Sequence, residues 1–202
     1  MIYLRFEIMK NKIKEFEIYN HIILWAAAEK SLELCSSSKS DAGLARISTI
    51  LLFFFAFEGY LNWLGARIAL DVWQDERVFF SRKPYQGTLG KYIFLVDKLQ
   101  LPRPDTGCGE YKTAIDVLHF RDMIVHPKSE SGKQVVKVTD GNFPKAYLGK
   151  IQSTTSGLVD RAVKDLKILS ERLHIRAKET YPFEVHESKA FGSIFGLEVT
   201  SL

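Results

Sequence analysis

The chain has 202 residues, of which 46% are hydrophobic and 26% charged, and its formal net charge at pH 7 is +4. This composition excludes a disordered, collagenous or low-complexity chain, and the mildly basic charge is compatible with an anionic partner without identifying one. The length allows one well-buried core. We therefore expect a single domain over 1–202, with core helices over about 14–178 and a tail over 180–202 that packs on the body or on a second subunit.

Two long helices are predicted in the first third of the chain. Apolar residues recur on a wide face over about 14–35, which favours a first helix. The stretch SSSKSDAG, 36–43, is typical of a loop, and Ser40 or Asp41 is expected to cap a second helix that runs to about Val72. The dense cluster of phenylalanines in this second helix is typical of a buried core.

The second predicted helix is apolar enough to be mistaken for a membrane span. Its unbroken apolar run, Ile50 to Phe57, is only eight residues long. Glu58, Asn62 and Arg67 follow, and such residues are costly at the depth of the bilayer. We expect a helix that is buried in a bundle or a dimer, and no membrane.

Two further helices precede a change in the sequence pattern. A shorter third helix is predicted over Leu89–Leu99, and the Pro- and Gly-containing loop LPRPDTGCG follows it. A fourth helix begins at about Glu110 and carries an apolar face. Because Pro127 disfavours the helical conformation of the residue before it, this helix should end near Val125.

The last part of the chain combines an extended stretch with a long helix. Polar and apolar residues alternate in KQVVKVTDGNFPKAYL, 133–148, and the turn signal Asp140-Gly141 lies within it. This pattern predicts a small β-hairpin or an irregular insertion. An amphipathic helix is predicted from Ser153 to about Lys178, with Ile168 among its inward-facing residues. The predicted fold class is therefore mostly all-α, an antiparallel helical bundle with one small insertion after the fourth helix.

The cysteines and the first residues favour a cytoplasmic protein. Cys35 and Cys108 are far apart and form no CxxC pair, so neither a zinc site nor a disulfide framework is expected. The first seventeen residues, MIYLRFEIMKNKIKEFE, lack the uninterrupted apolar core of a secretory signal.

The stretch LHFRDMIVHPK, 118–128, places charged residues at the end of the fourth predicted helix. In a continuous helix Arg121 and His126 would lie about 140° apart around the axis and would not share a face. Pro127 should end the helix and free His126 to turn towards the side of the arginine. Asp122 lies four residues before His126, which is the spacing at which side chains on a helix meet.

These three residue types suit chemistry at a phosphodiester. A carboxylate at position 122 can fix the tautomer of His126, which would then move a proton. An arginine at position 121 can hold a phosphate through two bonds and stabilise the charge that develops on it. The structural alternative is that Arg121 and Asp122 are surface charges and that His126 only caps a helix, because this spacing also arises by chance.

Lysines are concentrated immediately after this motif. Residues 126–150 contain five lysines and only two acidic residues. Lys128 and Lys133 are therefore candidates for RNA binding. A solvated loop face is the structural alternative.

The segment RDMIVH, 121–126, resembles the R-x4-6-H signature of the HEPN superfamily, whose members often have Asn, Asp or His directly after the arginine. Many members are metal-independent RNA endonucleases of toxin–antitoxin, abortive-infection and other defence systems. The resemblance implies that Arg121 and His126 are the catalytic pair, with Asp122 as the residue that orients them. The attacking group would be the 2′-OH of the RNA, and the ends would be a 2′,3′-cyclic phosphate and a 5′-OH.

The resemblance also implies a homodimer that forms through the motif helices, RNA as substrate and no metal or other cofactor. An antitoxin or regulatory protein would be a further partner. A polar interruption in a preceding apolar helix is part of the resemblance, so Glu58 and Asn62 are candidates for an auxiliary role in the site. The alternative for Glu58 is a structural pair with a Lys or Arg at the edge of a buried helix.

Two other functions fit the sequence less well. Some members of the superfamily bind nucleotides or proteins without cutting RNA, so a non-catalytic binding module is the main alternative. A metal enzyme that uses His119 with His126 is disfavoured, because seven residues separate them by two helical turns. His21, His174 and His186 show no ligand spacing and are expected to be core or surface residues.

Overall fold

The structure, a computed structural model, describes residues 19–37, 42–125, 145–187 and 189–192. Within these ranges the chain is mostly helical and contains no strand, so the predicted all-α class is confirmed for them. The helices are α1 (Asn20–Ser37), α2 (Ala42–Ile68), α3 (Leu70–Gln74), α4 (Glu76–Phe79), α5 (Gly87–Lys98), α6 (Gly109–Val125) and α7 (Lys145–Thr180). Outside the described residues lie the predicted cap at Ser40 or Asp41, the insertion over 129–144 and the end of the tail.

Helix α2 is the central element of the bundle. It contacts α1, α5, α6 and α7, and α6 also packs against α7. The side chains that α2 places in the core are almost completely shielded from solvent: Ile50, Phe53, Phe54, Phe57, Tyr60, Leu61 and Leu64. By length and composition alone, the stretch Gly43–Ile68 could cross a membrane. Its buried apolar side chains pack against other helices, as they do in the core helix of a bundle, whereas Leu44 near its start is exposed.

The second predicted helix is broken at Ala69, so the prediction of one continuous helix to about Val72 is wrong. The break brings Trp73 of α3 back onto Gly65 of α2. A Cβ atom added at Gly65 would lie 2.0 Å from Cζ2 of Trp73, so only glycine permits this approach. The turn keeps its backbone bonds, because the amide of Trp73 donates to the carbonyl of Ala69 at 3.1 Å.

The third and fourth predicted helices agree with α5 and α6, whose first residues differ from the predicted ones by one or two positions. The final helix was predicted to begin at Ser153, but α7 begins at Lys145. The end of the stretch that was predicted as a hairpin, 145–148, is therefore helical. A few alternating residues do not distinguish a strand from a helix, and the preceding Pro144 is a residue that favours the first turn of a helix. Ile168 on α7 is exposed rather than inward-facing.

Polar bonds and ring contacts connect the helices around this core. Thr113 on α6 donates its hydroxyl hydrogen to Asp165 on α7 at 2.6 Å. Near the two ends of the described chain, the rings of Trp25 and Phe191 stack with their centroids 4.0 Å apart. Tyr19 adds a hydrogen bond to Glu187 at 3.0 Å. The described part of the tail therefore packs against α1.

Candidate functional site

Arg121 lies in the last described turn of α6, beside the line of residues that this helix buries. Val117 and Phe120 are buried, and Ile124 packs against the core. Val117 and Ile124 are four residues before and three residues after Arg121, so all three lie on one flank of the helix. The side chain of Arg121 is accordingly only 27% exposed.

Two contacts restrain the guanidinium of Arg121. Its Nη1 donates a hydrogen bond to Oδ1 of Asp122 at 2.8 Å. Its Cζ lies over the ring of Phe54 on α2, 5.7 Å from the ring centroid, within the range of a cation–π contact. Among the described residues its Nε is buried without a hydrogen-bond partner, which costs about 1–3 kcal/mol.

Asp122 is half exposed, and its bond to Arg121 joins two consecutive residues. The carboxylate therefore fixes one end of the guanidinium. His126, the residue that Asp122 is predicted to orient, lies outside the described residues, as do Lys128 and Lys133. The structure thus brings together Arg121 and Asp122 among the predicted site residues.

Glu58 and Asn62 follow Phe54 at intervals of four residues along α2. Each interval corresponds to about 6 Å along the helix axis, so the two polar residues lie one and two turns beyond the ring that contacts Arg121. Glu58 accepts a hydrogen bond from Thr88 at 2.6 Å, and Asn62 accepts one from Lys91 at 2.8 Å. Both partners are on α5. The described bonds of the two predicted auxiliary residues therefore connect α2 to α5.

Lys91 is a buried lysine that the sequence reasoning missed. Its side chain is 8% exposed, and its ammonium pairs with Glu76 as well as with Asn62. The ammonium also lies 5.8 Å from the ring centroid of Phe80. A lysine between apolar residues in the stretch GKYIFLV was the available signal, since a buried charge requires partners.

The histidines within the described ranges form no metal site. His119 is exposed on α6, whereas His21 and His174 are buried. His186 on the tail is largely exposed. No group of three or more His, Cys, Asp or Glu side chains in the described part of the chain is arranged to hold a metal ion.

Comparison with protein-family models, curated proteins and solved structures finds no match to this chain. The described part of the candidate site is an arginine that an aspartate and an aromatic ring restrain and that stays partly exposed. A guanidinium is suited to bind an oxyanion, because a phosphate accepts two parallel bonds from it.

Proposed function

We propose that the protein is a metal-independent RNA endonuclease of the HEPN type. The observation that carries the proposal is the guanidinium of Arg121, restrained by Asp122 and by the ring of Phe54, five residues before His126 in the sequence RDMIVH. The proposal also rests on the resemblance of this motif to the R-x4-6-H signature.

Each residue of the motif has a role in the proposed reaction. His126 removes the proton from the 2′-OH, whose oxygen attacks the adjacent phosphorus as the bond to the 5′ oxygen breaks, and water supplies the proton that the departing 5′ oxygen takes up. Arg121 binds the phosphate and stabilises the charge on the pentacoordinate phosphorane. Asp122 holds Arg121 and, four residues before His126, orients the imidazole. The products are a 2′,3′-cyclic phosphate and a 5′-OH.

The proposed RNA contacts extend beyond the motif. Lys128 and Lys133 bind the phosphate backbone, where a positive charge adds affinity for any sequence. The proposal also gives Glu58 and Asn62 an auxiliary role, while their described bonds, to Thr88 and Lys91, hold α5 against α2. The proposed setting is the cytoplasm, in a toxin–antitoxin or phage-defence system with an antitoxin or regulatory protein as a partner.

The active form in this proposal is a homodimer that pairs its motif helices. Support comes from Val125, which is 43% exposed on α6. It lies about 40° from Arg121 and about 60° from Asp122 around the helix axis, so an apolar side chain is exposed between the two charged ones. An apolar contact at this point would bring the Arg–His pairs of two subunits together.

Cleavage of total RNA in the presence of EDTA tests the proposal. Wild type should cut and leave cyclic-phosphate ends, whereas Arg121→Ala and His126→Ala should lower the rate at least about a hundredfold, as expected for a lost general base or charge stabiliser. Two control variants remove the same side-chain types elsewhere: His119→Ala on the exposed side of α6 and Arg161→Ala on the exposed side of α7. Both should cut at nearly the wild-type rate.

Two results would contradict the proposal. Cleavage that is equally strong in wild type and in His126→Ala would exclude the motif as the active site. Absence of cleavage across a broad RNA panel, together with nucleotide or protein binding that survives His126→Ala, would instead support a non-catalytic binding module.

A further inference from the structure

Phe54 differs from the other buried phenylalanines of α2 in what covers its ring. Its side chain is 1% exposed, so its position is fixed by the surrounding core. The ring nevertheless supports a charged group, since the guanidinium of Arg121 lies over it. In the described part of the chain, the other two rings that carry a cation are those of Trp63 and Phe80.

A rigid ring under a guanidinium has a consequence for catalysis. An arginine side chain has four rotatable bonds, and holding it in one orientation costs conformational entropy. The bond to Asp122 restrains only Nη1, and the half-exposed carboxylate can itself move. The ring of Phe54 is a second contact, on a different side of the group, 5.7 Å from Cζ. Two contacts restrict the orientations of the guanidinium before substrate arrives, which favours preorganised charge stabilisation.

We propose that Phe54 is a positioning residue for Arg121, which presents the guanidinium to an RNA phosphate in one orientation. This inference rests on the proposed function for its catalytic consequence. The contact between the ring and the guanidinium does not depend on that function. Phe54 touches neither substrate nor reacting atoms and acts only through Arg121.

The chain offers matched controls on the same helix. Phe53 and Phe57 are as deeply buried as Phe54. The ring of Phe53 packs edge-on against Trp25, and the ring of Phe57 is tilted against Tyr92. Replacement of any of the three by leucine removes an aromatic ring from the core at similar cost to packing. Only Phe54→Leu removes the ring under Arg121.

The first experiment is ¹H–¹⁵N NMR of the arginine Nε–H groups in the whole protein, with the Arg121 signal assigned by its loss in Arg121→Lys. In wild type this proton should resonate upfield of those of the exposed Arg77 and Arg82 and should exchange slowly with water. Phe54→Leu should move the signal downfield and speed its exchange, whereas Phe57→Leu should leave it in place. An ordinary shift and rapid exchange in wild type would overturn the proposal without any variant.

The second experiment is single-turnover RNA cleavage by the same proteins. Phe54→Leu should lower the maximal rate about tenfold, within the range for a buried cation–π contact, while Phe57→Leu of equal stability should lower it less than about twofold. Equal rates in the two variants would overturn the positioning role. If wild type shows the expected NMR signal but cuts no RNA, the proposed function fails and the positioning of Arg121 by Phe54 stands.

Discussion

The hydroxyl groups of two buried tyrosines, Tyr60 and Tyr92, are expected to contribute differently to the stability of the fold. Tyr60 lies 3.3 Å from Nδ1 of His174, whose Nε2 lies 3.0 Å from the carbonyl oxygen of Glu187. Because a carbonyl only accepts, Nε2 carries the hydrogen, and in the neutral imidazole Nδ1 then accepts from the hydroxyl of Tyr60. Burial, with Glu171 and Glu187 nearby, raises the pKa of Tyr60 well above its ordinary value, so the hydroxyl keeps its proton at neutral pH.

Removal of the hydroxyl from Tyr60 should therefore destabilise the fold. We expect Tyr60→Phe to lower the free energy of unfolding by about 1–2 kcal/mol, because Nδ1 of His174 would be buried without a donor. Tyr92→Phe is the matched control, since the Tyr92 hydroxyl is buried without a hydrogen-bond partner among the described residues and burial raises the pKa of Tyr92 to about 12. This variant should be neutral or more stable. Urea denaturation measures both, and equal losses would contradict the assigned bond.

At the residue scale, the sequence predicts a motif but not the side chains that pack against it. The spacing of Arg121, Asp122 and His126 selects the motif, and the structure pairs the first two. The sequence does not identify Phe54 as the residue that contacts Arg121. All four phenylalanines of this stretch have the pattern of buried core residues: Phe53, Phe54, Phe55 and Phe57. Which of them lies under the arginine depends on how α6 crosses α2, and no local pattern encodes that crossing.

At the scale of single elements, hydrophobic periodicity predicts those helices that begin after a recognisable loop of turn-forming residues. α5 and α6 follow a loop of turn-forming residues and begin near their predicted positions. The break between α2 and α3 has no such signal, because it depends on the contact between Gly65 and Trp73 across a turn. The sequence does not predict the early start of α7, because the polar and apolar residues there alternate over a few positions, a pattern that is typical of a strand.

Two glycine-to-alanine substitutions should have opposite effects on helices. Gly65→Ala would place a methyl group within the ring of Trp73, and we expect a loss of about 1–3 kcal/mol in unfolding free energy. Gly157 lies on the exposed side of α7, and a Cβ there would meet no atom within 4 Å. Gly157→Ala should therefore stabilise the protein by about 0.5–1 kcal/mol.

Thermal unfolding monitored by circular dichroism at 222 nm distinguishes the two glycine variants. The melting temperature should fall for Gly65→Ala and rise for Gly157→Ala. A melting temperature for Gly65→Ala that equals that of wild type would show that Trp73 does not pack on α2 in solution.

At the scale of the whole molecule, α2 connects the proposed site to the rest of the bundle. It contacts α1, α5, α6 and α7, and it carries both the ring under Arg121 and the polar residues that bond to α5. The proposed site is therefore formed by residues of α2 as well as of α6. Its geometry depends on the packing of the central helix.

The proposed dimer gives a prediction at this scale. Val125→Glu should convert the protein to a monomer, because a charge would be buried where two motif helices meet. Ile175→Glu is the control, since Ile175 is exposed on α7, away from the motif helix. Sedimentation velocity should show a dimer for wild type and for the control. A wild-type monomer at micromolar concentration, or a dimer that survives Val125→Glu, would contradict pairing through this surface.

The stacked rings of Trp25 and Phe191, with the nearby bond between Tyr19 and Glu187, hold two stretches together that lie more than 160 residues apart in the sequence. A force that pulls position 25 away from position 191 would load the stacked rings directly. Two fluorophores attached near these contacts would stay close while the fold is intact and would report the separation of α1 from the described part of the tail.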